Sequence, residues 1–210
     1  MSPEMQKRTD IQAVIFDLGG VLIDFDFQRA HSAAAKVSGL PSGEVQRRLF
    51  SSPDFLAFER GSISEQQFHV SLQQTLGCSI PYEMFCMAWS SIFKSEVEST
   101  IALARSLTKA GLKVGILSNT NVLHFKHLRE RMSILRELEH VYASHEIGSR
   151  KPEPESFQHV LSKMNVAPQK AVFVDDLDEN IAAARALGMI GIHATGADAV
   201  RSGITELGLL

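Results

Sequence analysis

The sequence predicts an α/β fold built on a parallel five-stranded sheet, with a helical lobe inserted after the first strand. Two observations carry this. Short apolar runs rich in β-branched residues alternate with helix-like patterns, as in βαβ units. About 95 residues then separate the first run from the second, where a crossover needs only a dozen or more, so something is inserted there.

The first strand is expected at residues 13–16, ended by Asp17-Leu18-Gly19-Gly20. Residues 27–93 read as several helices: Pro53 follows Ser51-Ser52, Gly61 is a stop, Ser64 with Gln67 forms a capping box, and Pro81 opens the helix carrying Trp89. A helix over 97–110 stops at Gly111 before a strand at 113–117. A weaker strand follows at 141–144. The helix at 154–164 places Phe157, Val160, Leu161 and Met164 at i, i+3, i+4 and i+7. A strand at 171–174, a helix at 178–187 closed by Gly188, and a strand at 189–194 complete the series. The expected organisation is a core of 1–26 and 94–210, with 27–93 leaving the carboxyl end of strand one, where open α/β sheets bind ligands. Covering that site is the lobe's expected job.

The 210 residues are 44% hydrophobic and 21% charged, which excludes disorder and collagen-like structure. No uncharged apolar stretch reaches the roughly 18 residues a membrane helix needs, and residues 1–10 lack the apolar core of a signal peptide. No membrane association and a cytoplasmic location are expected. Cys78 and Cys86 have no metal-ligand spacing and read as reduced thiols. With 21 basic and 24 acidic residues the net charge is -3, and no basic cluster lies among stacking aromatics. Nucleic acid is therefore not an expected partner, and a monomer or weak homodimer is.

Residues able to do chemistry fall at the predicted strand ends. Asp17 follows strand one, Ser118-Asn119-Thr120 strand two, and Asp175-Asp176 strand four, with Lys151 in the loop after strand three. Singly each has a plain reading: a turn former, an N-cap, a solvated cation, a helix start. Together they bring two carboxylate sites, a hydroxyl and an ammonium to one rim, a set suited to phosphoryl transfer. Converging acids suit Mg²⁺, the backbone after Ser118 suits an anion at a helix N-terminus, and Lys151 adds a mobile positive charge. Metal and lysine should hold the Asp17 pKa down and leave a nucleophilic carboxylate. A lysine at a strand end adds little to packing, so Lys151→Ala is expected to cost turnover more than fold.

These residues resemble the four motifs of the haloacid-dehalogenase-like hydrolases: VIFDLGGVLID holds Asp17, ILSNTN holds Ser118, GSRKPEPESF holds Lys151, and VFVDDLDENIAAARALG holds Asp175 and Asp176. The resemblance runs from about residue 11 to the last helix. It implies a Rossmann-like three-layer core with a helical cap, and Mg²⁺-dependent phosphatase activity through an aspartyl phosphate. DFDFQRA, FERGSISEQQF and the Trp89 region are similar to the subgroup of glucose-1-phosphatase-like proteins, implying a small phosphorylated metabolite, a sugar phosphate first. By resemblance, Asp17 is nucleophile and metal ligand, Asp176 a direct ligand and Asp175 a direct or water-bridged one. Ser118 and the Asn119 backbone hold phosphate oxygens, and Lys151 bridges nucleophile and phosphate.

One position departs. The family's acid/base aspartate, two residues after the nucleophile, is Gly19 here; its backbone carbonyl can still bind metal, but the proton carrier is lost. Asp24 and Glu59 are candidate stand-ins, and water is a third. Glu59, Arg60 and Trp89 are candidate substrate contacts, although cap packing is the plainer reading for Trp89. His124 and His127, at i and i+3, read as a solvated helix face. Two rival activities remain open: haloacid dehalogenase, and a non-catalytic protein binding a phosphorylated ligand or a partner.

Overall fold

A computed structural model describes residues 10–210. Strand β1 (Ala13–Phe16) is buried at every position and lies at the centre of the sheet, parallel to β4 (Lys113–Ser118) on one side and β6 (Ala171–Asp175) on the other. Outside these lie β5 (His140–Ala143) and β7 (Ile190–His193), giving the order β5-β4-β1-β6-β7. A parallel sheet covered on both faces needs continuous apolar strands, which is why AVIF and AVFV read so plainly. Along β1, Val14 and Phe16 enter one core while Ala13 and Ile15 enter the other. The first core is closed by α6 (Glu98–Lys109), α7 (Val122–Arg131), α8 (Ile134–Glu137) and α12 (Ala197–Glu206). Helices α10 (Pro154–Met164) and α11 (Asp178–Ala186) close the second. This is a Rossmann-like α/β sandwich, as expected.

Boundaries moved by about one residue, with consequences at two places. Ser118 and Asp175 are the last residues of β4 and β6, held by the ladder rather than by loops. Ser144 opens α9 (Ser144–Ile147) instead of ending β5. The structure also has an antiparallel ribbon of β2 (Ile23–Phe25) and β3 (Phe93–Glu96) that the sequence reading did not contain. With compositions IDF and FKSE, these strands have no apolar run to announce them.

Between the ribbon strands run α1 (Phe27–Ser38), α2 (Ser42–Phe50), α3 (Pro53–Glu59), α4 (Glu65–Leu76) and α5 (Tyr82–Ser90). Their starts follow local chemistry: Asp26 caps α1, Ser52 caps α3 ahead of Pro53, and Ser64 with Gln67 forms the capping box of α4. These helices share a separate apolar cluster that includes Leu49, Phe58, Phe68, Phe85 and Trp89. No helix among the described residues is long and apolar enough to cross a membrane.

One polar joint ties α5 to α7, and it overturns the reading of His124 as a solvated residue. His124 is 5% exposed and stacks on Trp89 at 5.2 Å. Its Nε2–H donates to the Trp89 carbonyl (2.9 Å), and its Nδ1 faces the Asn121 amide nitrogen (3.1 Å). The neutral ring is thus satisfied at both nitrogens, and burial pushes its pKa down to about 4. A histidine with a depressed folded pKa contributes stability that is present above its unfolded value of 6.5 and lost as pH falls through the folded one. Lowering pH from 7 to 4 should therefore cost up to roughly 3 kcal/mol through this group. Urea midpoints for wild type and His124→Phe should converge as pH falls; parallel pH profiles would refute the assignment.

Candidate active site

Asp17 follows β1 but is still tied into the sheet, its N–H donating to Val174 O at 2.7 Å. Its Oδ1 accepts from the Leu18 N–H (2.6 Å) and lies 2.6 Å from Lys151 Nζ. The same ammonium is 2.7 Å from Asp175 Oδ2. Lys151 is only 1% exposed, so the expected mobile, solvated cation is instead a fixed, buried one. Asn119 holds its backbone at both ends, Oδ1 accepting from the Lys151 N–H and Nδ2 donating to the Lys151 carbonyl, each at 2.8 Å. Asp175 is likewise clamped: Leu177 N–H donates to Oδ1 (2.9 Å), and Asn180 Nδ2 lies 2.9 and 3.1 Å from its two oxygens. The sequence reading missed the side-chain roles of Asn119 and Asn180. Asp176 closes the set, with oxygens of Asp17, Asp175 and Asp176 all within 4.8 Å of one another. At Gly20 (φ +72°) an added Cβ would stand 2.5 Å from Asp176 Oδ2, so glycine lets the turn pass the carboxylate.

Three carboxylates face one ammonium here, and the electrostatics follow. Burial would lower the Lys151 pKa, but Asp17 and Asp175 outweigh it and raise it. Burial pushes Asp17 up to about 7 against the pull of Lys151, with Asp175 adding to the rise. Of the metal and lysine expected to hold Asp17 down together, the lysine alone does not suffice, because desolvation exceeds the stabilisation from an ammonium that serves two acids. Burial, then Asp175, also raises Asp176. The side-chain ligand atoms of the cluster are hard carboxylate oxygens and three carboxyls outnumber one ammonium, which fits a small divalent cation such as Mg²⁺.

A cavity of about 330 Å³ opens above this floor. Asp17, Gly19, Ser118, Asn119, Lys151 and Asp176 line it, so the structure brings the strand-end residues together. Ser118 does not cap a helix; Asn121 does, accepting from the His124 N–H at 3.1 Å. Glu59 also lines the cavity, 3.0 Å from Arg150, and burial raises its pKa against that arginine. The other candidates lie elsewhere. Asp24 is exposed on β2 with the Ser95 hydroxyl at 3.4 Å and does not line the cavity, so its stand-in role is withdrawn. Arg60 pairs with Glu153, and Trp89 is packed in the α1–α5 cluster with its indole N–H on Asn121. Neither lines the cavity, which withdraws both as substrate contacts. At Gly19 the obstacle to a side chain is the Phe25 ring, whose Cε1 lies 2.9 Å from an added Cβ.

A model of the haloacid dehalogenase-like hydrolase family matches residues 11–188. The chain belongs to the haloacid dehalogenase-like hydrolases. Among curated members, it is 28% identical to phosphatase MT3486 of Mycobacterium tuberculosis over 93% of each chain. It is 29% identical to the sesquiterpene phosphatase astK of Aspergillus oryzae, covering 89% of this chain and 91% of that one. The D-ribitol-5-phosphate phosphatase of Bacteroides thetaiotaomicron is also 29% identical, over 85% of this chain and 89% of that one. A haloacid dehalogenase-like enzyme from B. thetaiotaomicron, solved with magnesium and inorganic phosphate, superposes with TM-score 0.77 at 26% identity, covering 86% of this chain and 92% of that one.

In this hydrolase the buried lysine is also a structural element. Removing one partner of a buried ion pair typically costs about 3–5 kcal/mol, so Lys151→Met should lower stability strongly, contrary to the sequence-based expectation. Asn180→Ala strips two donor contacts from a buried carboxylate and should cost about 1.5–3 kcal/mol. Denaturant unfolding measures both; midpoints within error of wild type would show that the cluster is not held as described.

Proposed function

We propose that this hydrolase is a Mg²⁺-dependent phosphomonoesterase that cleaves a small phosphorylated metabolite through an aspartyl phosphate. In this reading 27–93 is the cap and 1–26 with 94–210 the core. The observation that carries it is the three-carboxylate cluster sharing the Lys151 ammonium beneath a cavity. Asp17, Asp175, Asp176 and the Gly19 carbonyl would hold the metal, which when bound offsets charge on the transferring phosphoryl and keeps Asp17 ionised. Asp17 attacks phosphorus as the bond to the ester oxygen breaks, while Lys151, the Ser118 hydroxyl and the Asn119 N–H hold phosphoryl oxygens. Water then attacks the phosphorus, releasing phosphate and restoring the carboxylate. Leaving group and water together need one acid/base. Glu59 is the cavity-lining carboxyl outside the metal cluster among the described residues, and its raised pKa suits holding a proton.

A sugar phosphate is the second, narrower reading. Supporting it, the Glu59–Arg150 pair lines the cavity and Arg150 Nε is left without a hydrogen-bond partner, so the pair could receive a hydroxyl. Relatedness does not choose, since relatives named for a polyol phosphate and for sesquiterpenes are equally similar.

Assay of the purified protein against a panel of phosphate esters tests the reading. EDTA and Asp17→Asn should each reduce hydrolysis by more than about 10³-fold. Turnover insensitive to either would refute it, and halide release from haloacids without metal would establish the dehalogenase alternative. Glu59→Gln should cost alkyl esters about 10²-fold and aryl esters much less, because a general acid matters most for basic leaving groups. Equal losses on both would remove Glu59 from the proton path.

A further inference from the structure

We infer that the ester's leaving group is apolar, a hydrocarbon or aryl group, because four phenylalanine rings in continuous contact, joined by a fifth, wall the cavity above the reactive carboxylate. This rests on the phosphomonoesterase reading and names its substrate class. Phe25 from β2, Phe27 from α1, Phe50 from α2 and Phe55 from α3 form an edge-to-face series, with centroids 5.4, 5.6 and 5.3 Å apart, and Phe93 from β3 also lines the cavity. Edge-to-face contact is a favoured aromatic geometry, so the wall is a packed surface. Phe55 (7% exposed) anchors the wall in the neighbouring apolar cluster, which also buries Phe58, Phe68 and Phe85 to within 2%, whereas Phe25 (36%) and Phe50 (41%) are left open. Large apolar side chains left open together in a cleft mark a binding surface.

The polar groups around the cavity point the same way. A polyol binds through side chains with free donors and acceptors, since a buried hydroxyl without a partner is costly. Here Asn119 is engaged by the Lys151 backbone, Asn180 by Asp175, and Asn121 and His124 by each other and by Trp89. Beyond the phosphate floor that leaves the Thr120 hydroxyl, Asn180 Oδ1 and the Glu59–Arg150 pair, a few scattered groups against five aromatic rings. Phe25 finally occupies the space beside Gly19, so the wall reaches to within two residues of Asp17.

The test uses straight-chain alkyl phosphates from ethyl to octyl, whose leaving groups are nearly equally basic, so that differences report contact with the wall. With Mg²⁺, kcat/KM should rise about 2- to 4-fold per methylene over several carbons, and octyl phosphate should exceed glucose 6-phosphate and ribitol 5-phosphate at least tenfold. Phe50→Ser should flatten the octyl-to-ethyl ratio, and Phe50→Leu should keep most of it. Competition by ethyl- and octylphosphonate in the wild type gives the same comparison without a variant, octylphosphonate binding more tightly. Robust hydrolysis of sugar phosphates with no chain-length dependence would overturn this inference and leave the phosphomonoesterase reading standing. No hydrolysis of any ester would overturn that reading, and phosphonate binding followed by thermal shift would still decide the character of the cavity: equal shifts for ethyl and octyl refute an apolar site.

Discussion

The structure turns on one electrostatic constraint: Asp17, Asp175 and Asp176 converge at the carboxyl end of the sheet around a single buried ammonium. Like charges this close in a poorly solvated place repel, so each must be held by something other than its neighbours. Asp175 takes three contacts from two donors besides Lys151, and Asp17 takes the Leu18 N–H. Lys151 itself is positioned through its backbone, by an asparagine from the loop after β4. The rigidity of the floor thus comes from the sheet and two amide clamps, and its residual negative charge is what a divalent cation answers.

Stability and function pull against each other at this point. A carboxylate driven up to about 7 by burial is poorly placed for folding, and a cation held by the cluster would favour its charged form. Helices α1 to α5 make few demands on this floor. They have their own apolar cluster and reach the sheet domain through polar joints, among them the His124 contact with Trp89 and the Ser144 hydroxyl bonded to the Glu59 carbonyl at 2.6 Å. Such joints set the position of α3 and α5, and with it the volume left above Asp17.

The parallel sheet and the places where Asp17, Ser118, Lys151 and the acid pair fall were legible because central strands are apolar throughout and their ends are abrupt. Ser64 with Gln67 and Pro53 after Ser52 were legible because caps are local. What escaped depends on partners distant in the chain. Nothing in GSRKPEPE separates a solvated lysine from one buried between Asp17 and Asp175. Asn119 and Asn180 look like loop and helix-start residues until the fold brings them to Lys151 and Asp175; a faint signal was that Asn180 shares the inward face of α11 with Ile181 and Ala184. The phenylalanine wall draws on five elements, each of whose rings reads locally as core.

Gly19 and Phe25 are one solution seen from two sides. A side chain at position 19 would have its Cβ against the Phe25 ring, 2.9 Å from Cε1. The ring would have to shift to make room. Leaving glycine there lets Phe25 approach the turn and extends the apolar surface towards Asp17, and among the described residues Glu59, paired with Arg150, is the cavity-lining carboxyl outside the acidic cluster. A side chain at position 19 and the Phe25 ring compete for the same space beside Asp17, so the two positions are expected to change together.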